Sequence, residues 1–275
     1  MIEIKRVGKV LWWVVKLLLG FSLFAVIYAL GQGVWGEFDQ LSAPIRCCLP
    51  IVFTVLLLGC YAVIRRLVEK KWPSDLSLKR LVPDTGLGLG IGFGYFCIIV
   101  AIMLVIGSYR VGQWHALNMD MFLMLIFFLM VATAEEIIFR GVLFRMVDKQ
   151  LGTVVAYVIS ALLFGFMHYF QGTLWSSIAI AIEAGLMLAA AYKYTNTLWL
   201  PIGIHWAWNF TQGNIFGFMV SGTESGDSLI EPVIKGPDLI TGGVFGAEAS
   251  LIAVAIGAAI SYYLIIKGKK AGPVQ

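Results

Sequence analysis

The sequence predicts an all-α polytopic membrane protein, a bundle of about eight transmembrane helices with both termini cytoplasmic. The first observation behind this is composition. Of 275 residues, 60% are hydrophobic and 13% charged, with a mean hydropathy of +0.88. A soluble domain carries roughly 25% charged residues, and half that amount cannot cover a globule of this size. A secreted enzyme, a nucleic-acid binder and a disordered scaffold are thereby excluded. The second observation is a series of long apolar runs, and the third is the one-sided placement of lysine and arginine between them.

A spanning helix needs roughly 20 mostly apolar residues. Eight segments meet this: 10–30, 44–64, 86–107, 121–147, 153–169, 172–192, 197–218 and 243–266. The first is too long for a signal-peptide core and lacks a small-x-small cleavage site, so it is expected to be a retained helix. The third opens on alternating glycines. Gly86, Gly90 and Gly94, four apart, predict a close helix-packing face; a P-loop would need a preceding strand and a Gly-Lys-Ser/Thr ending, both missing. The fourth run is long enough that it must tilt or leave the hydrocarbon.

Lys5, Arg6, Lys9, Arg65, Arg66, Lys70, Lys71, Lys79, Arg80, Arg140, Arg145, Lys149, Lys193, Lys267, Lys269 and Lys270 fall on one side of the predicted bundle, against Arg46, Arg110 and Lys235 on the other, and the positive-inside rule makes the first side cytoplasmic. The opposite loops lean acidic, with Glu37, Asp39, Glu224, Asp227, Glu231 and Asp238. The 65–84 loop, with prolines and mixed charge, reads as a surface segment. The four cysteines sit in or beside apolar runs without CxxC or His spacing, and read as small core residues. The chain divides into three N-terminal helices with a basic loop (1–119) and a five-helix core (120–275), together one integral membrane unit. No internal repeat is visible, which counts against inverted-repeat transporter folds.

An ionisable residue at membrane depth is costly, so each is a functional suspect. Glu135, Glu136 and Arg140 share the fourth run. Glu136 and Arg140 are four apart and can pair; Glu135 lies about 100° away around the helix and is left free for chemistry or ligation. A structural charge cluster or a proton relay is the alternative. His168 closes Phe164-Gly-Phe-Met-His168, and His205 and Asn209 are again four apart. Either histidine alone reads equally as an interfacial residue among belt aromatics. At 1.5 Å per residue, Glu135, His168 and Asn209 lie roughly 18–23 Å into their helices and His205 about 12 Å, depths that allow convergence on one cavity. Such a set suits amide hydrolysis: a carboxylate and an imidazole to activate water, an imidazole and an amide to donate to an oxyanion. The same Glu135, His168 and His205 could instead hold zinc. Glu183 in the sixth run has no partner evident in sequence, and His115 reads as solvated.

These motifs, EExxxR at Glu135–Arg140, FxxxH at Phe164–His168 and HxxxN at His205–Asn209, resemble the CPBP family of intramembrane proteases, also called the Abi or CAAX prenyl protease type 2 family. Phe139-Arg140-Gly141 and Leu200-Pro201-Ile202 also fit, and the likeness covers about 120–265. It implies that Glu135 activates water with His168, that His205 and Asn209 stabilise the oxyanion, and that Glu136 and Arg140 brace the site. It implies an intramembrane endopeptidase acting on membrane-associated or lipidated peptides, glutamate-dependent and requiring no cofactor, with a divalent metal such as zinc as the alternative. The expected partners are membrane lipids and a membrane-bound substrate, with no nucleic acid, and the expected location is a bacterial cell membrane. The rivals are a non-proteolytic bacteriocin-immunity or binding protein on the same fold and a proton-coupled transporter. The C-terminal Gly272-Pro-Val-Gln275 is no prenylation signal.

Overall fold

In lipid every backbone polar group must be satisfied within the protein, and long apolar runs therefore fold as helices. The structure, a computed structural model, describes residues 2–36 and 41–268. Glu37, Asp39, Lys269, Lys270 and the side chains of Lys5, Arg6 and Lys9 lie outside the described residues. The helices are α1 (Ile2–Gly36), α2 (Ala43–Glu69), α3 (Leu78–Val105), α4 (Met119–Leu151), α5 (Thr153–Met167), α6 (Leu174–Thr195), α7 (Trp199–Phe210, continued by Thr211–Ile215) and α8 (Leu251–Gly268). Among the described residues, seven are long and apolar enough to cross a membrane. The predicted segment 197–218 is α7, which is buried on nearly every side. Leu18, Leu19, Val55, Leu162 and many similar side chains point outward, as a lipid-facing surface requires.

Local chemistry sets the helix starts. The Asn118 side chain accepts from Met121 N–H at 3.0 Å and caps α4. Thr173 and Ser176 form a reciprocal capping box that opens α6. The last helix starts later than the expected 243. Gly242, Gly243 and Gly246 have positive φ, which breaks the chain into two short 3₁₀ turns before α8 begins.

A further expectation is corrected. Gly86, Gly90 and Gly94 face open space; the close-packed glycines are Gly88 and Gly92, where a Cβ would strike the backbone of Leu200 and Ile204. Gly203 of α7 meets Gly88, so α3 and α7 touch backbone to backbone. Both glycine sets have helical spacing, and only the position of α7 distinguishes them. The 65–84 loop is largely exposed, as a surface segment is expected to be, but two of its acids anchor it to the bundle. Asp75 is buried, 2.7 Å from Arg65 Nη1 and accepting from the hydroxyls of Tyr61 at 2.6 Å and Tyr192 at 3.1 Å. Asp84 is also buried, paired with Arg80 and bonded by Thr197 Oγ1 at 2.7 Å. The acids tie the loop down because α2 and α6 surround them with donors.

At the opposite end an unexpected two-stranded antiparallel sheet joins β1 (Tyr109–Trp114) to β2 (Ile230–Ile234), with Tyr109 opposite Ile234 and Trp114 opposite Ile230. His115, expected to be merely solvated, lies 3.2 Å from Glu231 on this hairpin. The cysteines are free; Cys48 is exposed and the others half-buried, so they edge the bundle rather than fill its core.

Candidate functional site

The site is built where three helices widen. Immediately after Glu136 the α4 backbone passes into a π-helical stretch, Ile137–Phe144. Ala181–Gly185 in α6 and Thr211–Ile215 after Asn209 do the same. Such wide turns recur at functional sites because they re-aim side chains that a regular helix would bury elsewhere.

Glu136 and Arg140 are both fully buried and pair at 2.8 Å, as their spacing predicts. The guanidinium also lies 4.6 Å over the Phe164 ring and donates to the carbonyls of Ala184 and Gly185 at 3.4 and 3.3 Å. Arg140 thus fastens α4 to α5 and α6. The same Glu136 Oε1 lies 3.0 Å from His205 Nδ1. A carboxylate only accepts, so Nδ1 carries the proton, and Nε2 turns toward Glu135 Oε2 at 3.9 Å.

Glu135 is nearly buried, with a side chain 13% exposed. Its Oε1 accepts from the Tyr28 hydroxyl of α1 at 3.1 Å, and among the described residues Oε2 has no hydrogen-bond donor. His168 caps the end of α5. Its Nδ1 donates to the Phe164 carbonyl at 2.8 Å, which leaves Nε2 as an acceptor. The ring packs on Phe164 with centroids 4.8 Å apart. Asn209 sits one turn beyond His205, 5% exposed, and among the described residues its amide has no hydrogen-bond partner.

Glu135, His168, His205 and Asn209 line one cavity of about 1240 Å³. It reaches Arg46, Asp120, Glu224 and Asp227 at the hairpin end, about 22 Å along α4 from Glu135. Its walls are apolar, with Phe21 and Ala25 of α1 facing Leu123, Phe127 and Val131 of α4. The convergence that depth alone allowed is therefore present. The expected pairing of Glu135 with His168 takes a different form: both face the cavity, but it is His205 that approaches Glu135.

Two neighbours of the site escaped the sequence reading. Tyr28 lies on α1, where no motif marks it. Glu248, 1% exposed, accepts from Ser221 N–H at 2.5 Å. It borders a second space, of about 10 Å³, together with His168, His205, Asn209 and Ser221. Burial pushes its carboxyl up to about 7, against the opposing pull of the Ser221 N–H and hydroxyl, the Gln212 amide and the nearby His205. The signal existed: Glu248 is an acid within a run expected to span the membrane. Glu183, left without a partner in the sequence, accepts from the Tyr95 hydroxyl.

Among the described residues, no three His, Cys, Asp or Glu side chains converge closely enough to hold a metal ion. Glu135, His168 and His205 face one cavity without meeting at a point, so the residues do not fit a His₂Glu centre.

Fold and site together define a multi-pass helical membrane protein with a half-buried to buried Glu-His-His-Asn constellation lining one cavity. Residues 117–211 match the family model described as Type II CAAX prenyl endopeptidase Rce1-like, so the resemblance carried by the motifs holds over that stretch and points to a CAAX-type intramembrane peptidase. The match includes Glu135 through Asn209 and leaves out Tyr28 and Glu248. No curated protein and no solved structure matches the chain.

Proposed function

We propose that the chain is an intramembrane endopeptidase of the glutamate-dependent kind, hydrolysing peptide bonds in membrane-associated or lipidated substrates. One observation carries this: a carboxylate oxygen and an amide, both without a hydrogen-bond partner among the described residues, line one cavity together with two imidazoles. Glu135 Oε2 takes a proton from water, with His168 Nε2 as the second acceptor on that water. The water oxygen bonds to the substrate carbonyl carbon, and the oxyanion is met by the Asn209 amide and by His205 Nε2–H. For that donation both ring nitrogens carry a proton, with Nδ1–H held by Glu136 Oε1, which Arg140 shares. When the C–N bond breaks, the proton on Glu135 passes to the leaving amine. No step is routed through a metal. The apolar walls suit a hydrophobic segment or a lipid chain laid along α1 and α4.

The test compares membrane-fraction peptide termini from cells expressing the parent or Glu135→Gln, which keeps the shape and removes the base. Termini found only with the parent establish proteolysis centred on Glu135. A biological phenotype that persists in Glu135→Gln, with identical termini, assigns the chain to the non-proteolytic binding class. Proton flux that survives Glu135→Ala, without cleavage by the parent, assigns it to transport.

A further inference from the structure

The large cavity opens at the hairpin end of the bundle and is packed shut toward the other. On α4 its lining runs from Asp120 to Phe139 and stops there, although the helix continues to Leu151. The remaining length, about 18 Å at 1.5 Å per residue, is filled. Phe144 and Tyr192, both fully buried, meet there with ring centroids 5.8 Å apart. Tyr61 and Arg145 bond the Gly141 carbonyl at 3.1 and 2.8 Å, and Tyr61 also holds Asp75 of the 65–84 loop. At the opposite extreme the lining meets water: the Asp120 side chain is 60% exposed, and Thr223, Glu224, Gly226 and Asp227 are exposed with it.

The two ends differ in charge as well as in access. Arg65, Arg66, Lys70, Lys71, Lys149 and Lys193 gather at the closed end, where α2, α4 and α6 finish. The open end holds Arg46, Arg110 and Lys235 among the acids Asp120, Glu224, Asp227, Glu231 and Asp238. Lysine and arginine beside helix ends are retained in the cytoplasm, and acids have little say. We propose that the site opens on the membrane face opposite the cytoplasm, so that its substrates are peptide segments held at that outer surface after translocation. The fate of those segments rests on the peptidase reading; the direction of access does not. Asp120 and Glu135 are about 22 Å apart along α4, and an extended chain advances about 3.3 Å per residue, so about seven residues must enter before a bond reaches the carboxylate. A substrate is therefore cut about seven residues from where its chain leaves the outer surface. A segment displayed in the cytoplasm would first have to pass the packed layer at Phe144 and Tyr192.

Thiol labelling tests the direction of access without any need for cleavage. Cys47, Cys48, Cys60 and Cys97 are replaced by serine, and single substitutions are added: Thr223→Cys at the mouth, Met124→Cys on the cavity wall and Lys71→Cys at the closed end. A membrane-impermeant methanethiosulfonate cation given to intact cells is expected to label Thr223→Cys and Met124→Cys. Lys71→Cys should react only once the cells are permeabilised. The reverse pattern, or labelling of all three in intact cells, overturns the proposal. So does an unlabelled Met124→Cys beside a labelled Thr223→Cys, because the cavity is then not continuous with its mouth. Should the cysteine-free chain fail to insert, the unaltered chain decides. Its last helix ends beside Tyr194 at the closed end, so a green fluorescent protein fused after Gln275 should be fluorescent and alkaline phosphatase fused there inactive. An active phosphatase overturns the proposal. Comparing membrane peptide termini between the parent and Glu135→Gln then separates the two readings. Outward labelling without cleavage removes the peptidase and leaves the direction of access standing. Glu135-dependent termini on cytoplasmic segments keep the peptidase and overturn the direction of access.

Discussion

His205 Nδ1 and Arg140 Nη1 share one acceptor, Glu136 Oε1, at 3.0 and 2.8 Å. A single carboxylate oxygen therefore fixes both the tautomer of the histidine and the position of the arginine that fastens α4 to its neighbours. The second glutamate of the motif is thus the hub of the buried network, and the first is the one left open to the cavity.

Removing that hub leaves a buried guanidinium unpaired. Glu136→Ala is expected to destabilise the protein by about 3–5 kcal/mol and to abolish activity. Glu136→Ala combined with Arg140→Met should recover much of the stability and none of the activity. Thermal unfolding in detergent beside a cleavage assay separates the two effects; a double variant as unstable as the single would contradict the pairing.

The Asn209 amide has no other use among the described residues, so its loss should fall on the chemical step. Asn209→Ala is expected to lower kcat by about 10²–10³-fold with little change in KM and in melting temperature. A KM effect alone would place Asn209 in substrate binding.

Glycine substitutions should separate the two faces of α3. Gly88→Ala or Gly92→Ala forces apart the backbones of α3 and α7 and should cost about 1–3 kcal/mol, displacing His205 and Asn209 and lowering activity. Gly86→Ala and Gly90→Ala meet nothing within 4 Å and should be neutral or stabilising by up to about 1 kcal/mol. Melting curves of the four variants suffice, and equal losses would contradict the packing.

Glu248 also sets a pH dependence of stability. Its carboxyl is raised from the ordinary value of 4.5 to about 7 by burial, so the folded state holds a proton that the unfolded chain has already released. Its contribution favours folding below about pH 4.5 and is lost as pH rises toward 7. Melting temperature should therefore decline across that window in the parent and decline less in Glu248→Gln. Parallel curves would count against the burial.

Because no three donors converge among the described residues, dialysis against a chelator should leave cleavage intact. Loss of activity on chelation and its return with zinc would instead mean that Glu135, His168 and His205 move together in the working state.

The motif residues were legible because each is a polar group where lipid or core should be, and their four-residue spacings translate directly into shared helix faces. Helix positions were legible for the same reason that hydropathy works at all. What the sequence concealed depends on long-range contact. Gly88 and Gly90 look alike until α7 is placed. Asp75 looks solvated until Tyr61, Arg65 and Tyr192 enclose it. Tyr28 sits 107 positions from its partner Glu135, and nothing local announces the bond. The hairpin joins strands more than a hundred positions apart, each too short to show a pattern. Glu248 alone could have been found, since the rule that singled out Glu135 applies equally to it.

The wide turn at Ile137–Phe144 constrains how the chain can change across generations. A π-helical stretch carries more residues per turn than an α-helix, and deleting one residue from it would let the backbone relax to ordinary geometry. It would also turn residues inside the stretch by up to about 100° relative to Glu136. Arg140 would leave Glu136, and the Gly141 carbonyl would lose its donors Tyr61 and Arg145. Descendants of this chain can exchange side chains along that stretch but cannot shorten it, so drift in length is confined to connections such as 106–118 and 216–229.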